Sequence, residues 1–423
     1  MKKKVLLTAS LAAAMTAGMA MTALAGWEEH YGSWFYYKDS NHEMVTDDWA
    51  QSGDFWYYLG EDGRMLTSTL INDTYYVDHN GAMTVNGWQW VVDEWDEEDE
   101  GAWRYFGANG RIYRDGIKNI NGYNYHFADT RMSTGWVDEG DHTYYFKEDG
   151  SMATGWKWLL EDSDDEDAWG EYWYYFTNGG KLTKSTVKEI SGVDYAFDGE
   201  GRMVTGWVDL DGFTSSSMDN LNETNINELK YFDEESGAAV EGWIQLDSPS
   251  DHESHYYYFR DGRAYSTAYK TTSVDGASGY GFAKIGDDYY CFDANGHMVT
   301  GIVEATDGPM YFDTNTGKMR TGRVTVYDDN YWGVTFCFKE NGSIGTRGIG
   351  INGVYDGYLY KEGQAVCAEE GMKYAFVENG TYDFIVNESG KIKTSGTATD
   401  ADGNKWKIVK AGTNQYTVTP VTN

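Results

Sequence analysis

Short aromatic runs alternate with turn residues along nearly the whole chain. The segment TYYFKEDGSMATGW (143–156) recurs as DYAFDGEGRMVTGW (194–207), LKYFDEESGAAVEGW (229–243), DYYCFDANGHMVTG (288–301) and PMYFDTNTGKMRTG (309–322). Each copy predicts one β-hairpin: an aromatic strand, a turn rich in Asn, Asp and Gly, and a second short strand carrying Met. Asn-Gly and Asp-Gly, as in GANG (107–110) and KEDG (147–150), supply the positive φ that tight hairpin turns require. Alternation sends Tyr144 and Phe146 to one face and Tyr145 to the other, so both faces of such a strand carry rings. Repetition at about 20 residues predicts an all-β solenoid of stacked hairpins.

A longer unit overlies the short one. Hairpins beginning WRYF (103) and WYYF (173) are each followed by one opening INGYNYHF (120) or ISGVDYAF (190), then by a third. Phe106 and Phe176 are 70 residues apart, and Phe259 lies 83 further on behind a longer linker. Acidic connectors fall at matching points, VVDEWDEEDEGA (91–102), LLEDSDDEDAWGE (159–171) and QLDSPSDHESH (245–255). Their carboxylates could ligate Ca²⁺, but none has the spacing of a Ca²⁺ loop, so solvated, self-repelling loops are expected. After about Gly342 the Gly-Trp pairs disappear, which predicts either a divergent β-rich C-terminal cap or a distinct small β domain. The expected organisation is a leader at 1–25, a hairpin array at 26–340 and a degenerate C-terminal segment at 341–423.

Composition agrees with many short strands and turns: aromatics make up 16% of the chain, with 51 Gly and 3 Pro. The first 25 residues combine lysines, an apolar run and Ala23-Leu24-Ala25, which reads as a secretory signal peptide. No later apolar stretch is long enough to span a membrane, so a secreted protein without membrane insertion is expected. The net charge is -35, or -38 without the leader's three lysines, which argues against nucleic acid and anionic lipid as partners. Three cysteines cannot staple so long a chain; Cys291 and Cys337 stand where other repeats hold strand aromatics and read as small buried hydrophobes, and Cys367 is similarly unremarkable.

Isolated hairpins are marginal in water, so each must be covered by its neighbours, and burial accounts for most single Tyr and Met residues. The Gly-Trp pairs ask for more. Trp88, Trp136, Trp156, Trp207 and Trp243 end successive hairpins and would project into the step between one hairpin and the next. A ring repeated at each step is one wall of a repeated groove. Such rings attract quaternary ammonium groups, at about 0.5–2 kcal/mol per contact, or stack on the apolar face of a sugar. Weak sites repeated along one scaffold bind a polymer with avidity.

These motifs, many copies of Tyr-Tyr-Phe, Asp-Gly-x-Met and Thr-Gly-Trp over about residues 26–325, resemble the cell-wall-binding repeats of Gram-positive surface proteins. That group includes choline-binding modules, glucan-binding repeats and the C-terminal repeats of clostridial toxins. The resemblance implies ligand sites between successive hairpins. In choline-binding members a Gly-Trp tryptophan, an aromatic opening the next strand and the following Gly-Trp tryptophan form a cage, with Met nearby. Carried over here, this implies Trp27, Trp34 and Trp49 with Met44, then Trp49, Trp56 and Met65, with Trp173 as another strand-opening ring. Thr143 departs from the pattern between Trp136 and Trp156, and Ile302 and Arg323 replace Trp after Gly, so a carbohydrate-type step is implied in the middle and fading sites toward the C-terminus.

The function expected from these residues is non-catalytic binding of a cell-envelope polymer, a glycan or substituted teichoic acid, with choline as a narrower possibility. No cofactor, metal site or catalytic residue is expected. The segment after the repeats contains no His, which removes a Cys-His dyad around Cys367, and DHESH (251–255) lacks the His-Glu-x-x-His order of a zinc hydrolase. Two alternatives stay open: an adhesin for host glycans or glycoproteins, and a non-catalytic targeting subunit or divergent member of a cell-wall hydrolase group.

Overall fold

The computed structural model describes residues 26–422 except 39–40, 93–100, 162–169, 216–220, 222–223, 268–279, 306, 343–345 and 381. The leader and most of the first two acidic connectors therefore lie outside the described residues. Two compact units divide the chain, 1–183 and 184–423. In each, the regular structure is a succession of small antiparallel sheets, as the repeat predicts.

One register recurs. Gly135 pairs with Phe146, Trp136 with Tyr145 and Val137 with Tyr144. The hairpins of Gly87, Gly155, Gly206 and Gly242 pair in the same way with Phe106, Phe176, Phe232 and Phe259. The phenylalanine therefore lies across from bare backbone, and its ring covers the strand where no side chain opposes it. All five of these phenylalanines are fully buried.

The two residues before each Phe, both tyrosine at Phe146, Phe176 and Phe259, then point in opposite directions. The nearer one meets the Trp of its own hairpin: Trp88–Tyr105, Trp136–Tyr145 and Trp243–Tyr258 sit edge to face at 5.0, 5.2 and 5.1 Å. The farther one packs on the Trp of the preceding hairpin, as Tyr125 does on Trp88 at 5.0 Å, Tyr174 on Trp136 at 5.0 Å and Tyr290 on Trp243 at 4.7 Å. Edge-to-face pairs at this separation are favourable beyond the area they bury. Tyr-Tyr-Phe is thus a stacking device, with one residue for each neighbour and one for the hairpin's own core.

Methionine and glycine complete the step. Gly63 and Gly110 close their turns at φ +78 and +74, and a Cβ added there would lie 2.7 and 2.6 Å from Sδ of Met44 and Met83. The turn needs Gly both for its left-handed backbone and because the Met of the preceding repeat lies directly against it. Backbone hydrogen bonds also run between successive repeats: the amides of Met65, Met83, Met152 and Met319 donate to the carbonyls of Trp34, Trp56, Asn124 and Tyr289, at 2.7–2.8 Å. Each repeat is tied to the strand opening of the one before it.

Toward the C-terminus the hairpins merge. Strands Gly322–Tyr327, Trp332–Phe338, Gln364–Ala365, Tyr358–Lys361 and Gly353–Tyr355 form one five-stranded sheet, which runs through the expected division at 340/341. Beyond it, Ile385, Val386, Ile392, Ile408 and Tyr416 bury the last strands in a core that also takes in Leu359 of this sheet. Cys291 and Cys337 are buried as expected, paired across their hairpins with Phe282 and Arg323. Cys367 is exposed, just past the two-residue strand Gln364–Ala365.

Candidate functional site

Strand alternation settles where each expected ring points. Trp27 and Trp34 share a face of the first hairpin, and Tyr57 of the second packs on Trp27 at 5.2 Å. Tyr57 pairs with Ala50, so the neighbouring Trp49 faces the other way, onto Tyr75 of the third hairpin at 5.4 Å. The hairpin therefore stands between Trp49 and the pair Trp27/Trp34, and these three rings do not form one cage. Trp27 is 4% exposed and Trp207 is 5% exposed, and both belong to cores. Trp207 is enclosed by Tyr231, Tyr257 and Phe259 and donates its indole N–H to the Asp247 carbonyl at 3.3 Å. Expected as site walls, these two tryptophans are buried instead, Trp27 in a cluster with Val45, Ala50 and Leu59 and Trp207 in one with Leu221, Ile226 and Leu229. Met44 and Met65, expected beside a ligand, lie against the turn glycines Gly63 and Gly81.

Other rings at this strand position are less enclosed. Trp49, Trp88 and Trp156 are half-buried, whereas Trp136 and Trp243 are exposed along one side. Their edges are fixed by the flanking tyrosines. The Tyr58 hydroxyl donates to Asp47 Oδ1 at 2.6 Å, and that bond together with burial pushes its ionisation up to about 12. Burial does the same to Tyr231, also up to about 12.

The open rings lie one cross-strand pair farther out. Two residues after the Gly-Trp tryptophan, on the same face, the register pairs Glu29 with Trp34, Gln51 with Trp56, Trp90 with Trp103, Trp158 with Trp173 and Gln245 with Tyr256. Trp56, Trp90, Trp158, Trp173 and Tyr256 are all exposed. Trp90 meets Trp103 at 5.7 Å and 78°, and Trp158 meets Trp173 at 5.4 Å and 58°. Of the expected residues, Trp34, Trp56 and Trp173 belong to this outer row. Trp90, Trp103 and Trp158 were not singled out from the sequence, although the repeated GWQW and GWKW, with rings at i and i+2 of a strand, carry the signal.

Where the outer ring is missing, a polar contact replaces it. Thr143 Oγ1 donates to Asp138 Oδ1 at 2.7 Å, at the positions that hold Trp103 and Trp90 in the earlier hairpin. At the inner position Arg323 stands in for Trp. Its guanidinium lies 3.8 Å from the centre of the Tyr358 ring and bonds the Tyr360 hydroxyl, so a cation fills the place that an indole fills elsewhere. Ile302 does so with a small apolar side chain against Tyr311, Phe336 and Phe338.

An exposed indole beside a side-chain amide or carboxylate presents a flat apolar face next to hydrogen-bonding groups. A pyranose is complementary to this combination, with its apolar C–H face and its rim of hydroxyls. Two indoles held edge to face enlarge the platform.

The description "Choline-binding repeat" matches residues 43–83 and 279–323, and "Putative cell wall binding repeat" matches 134–152. The chain is 24% identical over 388 residues to glucosyltransferase-S of Streptococcus mutans; the match covers 91% of this chain and 23% of that protein. Among solved structures, the choline-binding domain of CbpL from Streptococcus pneumoniae is 24% identical with a TM-score of 0.36, covering 53% of this chain and all of that one. The modular autolysin LytC from the same organism is 18% identical with a TM-score of 0.38, covering 70% of this chain and 53% of that one. No helix among the described residues is long and apolar enough to cross a membrane.

Proposed function

The chain belongs to the cell-wall-binding repeat family, and from that premise we propose that it is a non-catalytic binder of a cell-envelope glycan or a glucose polymer. The observation that carries this reading is the outer row of rings, with Trp56, Trp90, Trp158, Trp173 and Tyr256 exposed and Trp34 and Trp103 half-buried, each on a hairpin whose inner rings lock its orientation. Stacking on one ring is weak, and several rings on one unit give avidity for a chain of repeated sugars. The name of the glucosyltransferase relative puts glucan among the polymers to test.

Choline is the second reading, favoured by the description attached to residues 43–83 and 279–323. It needs a cage open to a quaternary ammonium, and the separation of Trp49 from Trp27 and Trp34 weighs against it in the first step. In this proposal the leader exports the protein, and it acts at the cell surface by adhesion to wall polymer rather than by cleaving it.

The test is retention of the mature protein on intact cell walls, on walls stripped of teichoic acid, on insoluble glucan and on choline resin, with tryptophan fluorescence followed during titration. Retention on walls or glucan, weakened by soluble oligosaccharide and not by choline, is the expected result. Elution by choline alone would replace the glycan reading with the choline one, and retention on none of the four would refute both. Release of soluble fragments from purified wall material would overturn the non-catalytic assignment.

A further inference from the structure

We propose that Asp251, His255 and His297 form a binding site for a divalent transition metal of the zinc type. Asp251 and His255 belong to the connector and second strand of the Trp243 hairpin, whereas His297 follows the turn of the next hairpin, 42 residues later in sequence. Folding brings one ligand atom from each of the three within 4.8 Å of the others. His255 Nε2 lies 2.9 Å from Asp251 Oδ2, and its ring stacks on that of His297 at 3.7 Å and 6°; parallel rings do not share an in-plane ion, so binding requires the partly exposed His255 ring to turn toward His297.

The supporting residues are those that a metal-bound histidine requires. Asp293 opens the turn and accepts the amides of Asn295 and His297 through Oδ1, both at 2.9 Å, while its Oδ2 lies 3.1 Å from His297 Nδ1. A carboxylate on Nδ1 places the proton there and leaves Nε2 as the ring's acceptor, the arrangement that fixes tautomer and orientation in metal-bound histidines. That Nε2 is 2.8 Å from Ser248 Oγ, which has a second partner in Ser250 Oγ at 2.9 Å and can turn to it when a metal takes the nitrogen.

Two imidazole nitrogens and one carboxylate oxygen suit zinc and leave a fourth position for water. His297 is nearly buried, while Asp251 and His255 are partly exposed, so an ion can enter from solvent. Bound there, it would clamp two successive hairpins together beside the buried Tyr257, whose ring meets His297 edge-on at 5.5 Å. The sequence hides the site because DHESH supplies only part of it.

The experiment is calorimetric titration of the untagged full chain with ZnCl₂ after treatment with EDTA and its removal, paired with thermal unfolding and with Co(II) absorption. One equivalent of Zn(II) is expected to bind and raise the unfolding midpoint, and Co(II) is expected to give the visible bands of a four-coordinate site. His255→Gln removes that equivalent, and Asp251→Asn weakens it at least tenfold; both residues are partly exposed, so both variants are expected to fold with wild-type circular dichroism. Absence of saturable Zn(II) binding, binding unchanged in both variants, or displacement of Zn(II) by millimolar Ca²⁺ would overturn the proposal.

Discussion

The contact between each turn glycine and the preceding methionine makes a quantitative prediction at Gly110. Gly110→Ala places an L-residue at φ +74 and a Cβ 2.6 Å from Met83 Sδ and 2.9 Å from its Cε. The left-handed backbone costs about 1–2 kcal/mol, and displacing Met83 from a packed step adds about 1–3 kcal/mol. The expected loss is about 2–5 kcal/mol, a large share of the roughly 5–15 kcal/mol that holds a typical domain together. Gly53→Ala separates the two contributions, because Gly53 has φ +61 but an added Cβ there meets nothing within 4 Å, so only the backbone cost remains. Pairing Gly110→Ala with Met83→Ala removes the clash, and the double variant should be more stable than additivity requires by about 1–3 kcal/mol. Urea unfolding followed by tryptophan fluorescence and far-ultraviolet circular dichroism measures all four, with the slopes compared because repeat arrays can depart from two-state behaviour. A loss at Gly110 no larger than at Gly53, or strict additivity with Met83→Ala, would refute the claim that this contact sets the step.

Core and surface tryptophans should separate cleanly in thermal unfolding. Trp207→Ala is expected to cost about 3–5 kcal/mol, whereas Trp90→Ala, at a ring 49% exposed, should cost under about 1 kcal/mol and lower polymer retention instead. Trp173→Ala should weaken binding to the retained polymer about three- to tenfold, up to about 1.4 kcal/mol, with little change in unfolding midpoint. Installing the missing outer pair with Asp138→Trp and Thr143→Trp should strengthen retention, and unchanged retention would count against the outer row as the binding surface. Acid should weaken the fold through its turn carboxylates. In Asp233 the Ser236 hydroxyl is the largest influence and holds the carboxyl low; in Asp149, Asp293, Asp313 and Asp400 burial opposes ionisation, but hydrogen bonds to the charged form outweigh it. A folded value below the unfolded one, about 3.9, means that this stability is complete above pH ~4 and is lost as pH falls through the lower folded values. Asp198 works in the opposite sense, since burial raises it. Urea midpoints measured between pH 7 and pH 2 should therefore hold to about pH 4 and fall below it.

Much of the step was legible in the chain itself. The period of Tyr-Tyr-Phe and Asp-Gly-x-Met identifies the hairpins, and alternation correctly separates Tyr145 from Tyr144 and Phe146. Thr143 marks a step without an outer ring, and its bond to Asp138 gives the physical form of that absence. The inference failed where it joined residues from different hairpins. Trp27, Trp34 and Trp49 look like one cage when read by spacing, yet Trp49 and Ala50 lie on opposite faces of one strand and only the Ala50 face meets Trp27.

The sequence by itself determined the local geometry: which residues turn, which strands pair, and which side chains share a face, because these follow from backbone φ preferences and the two-residue period of a strand. Only the tertiary structure decided which face of each hairpin meets its predecessor, since that depends on contacts such as Met83 against Gly110 and Tyr125 against Trp88, made between repeats. That choice buries Trp27 and Trp207, leaves Trp90 and Trp158 open, and brings His297 beside His255. A period within one strand carries no information about the next.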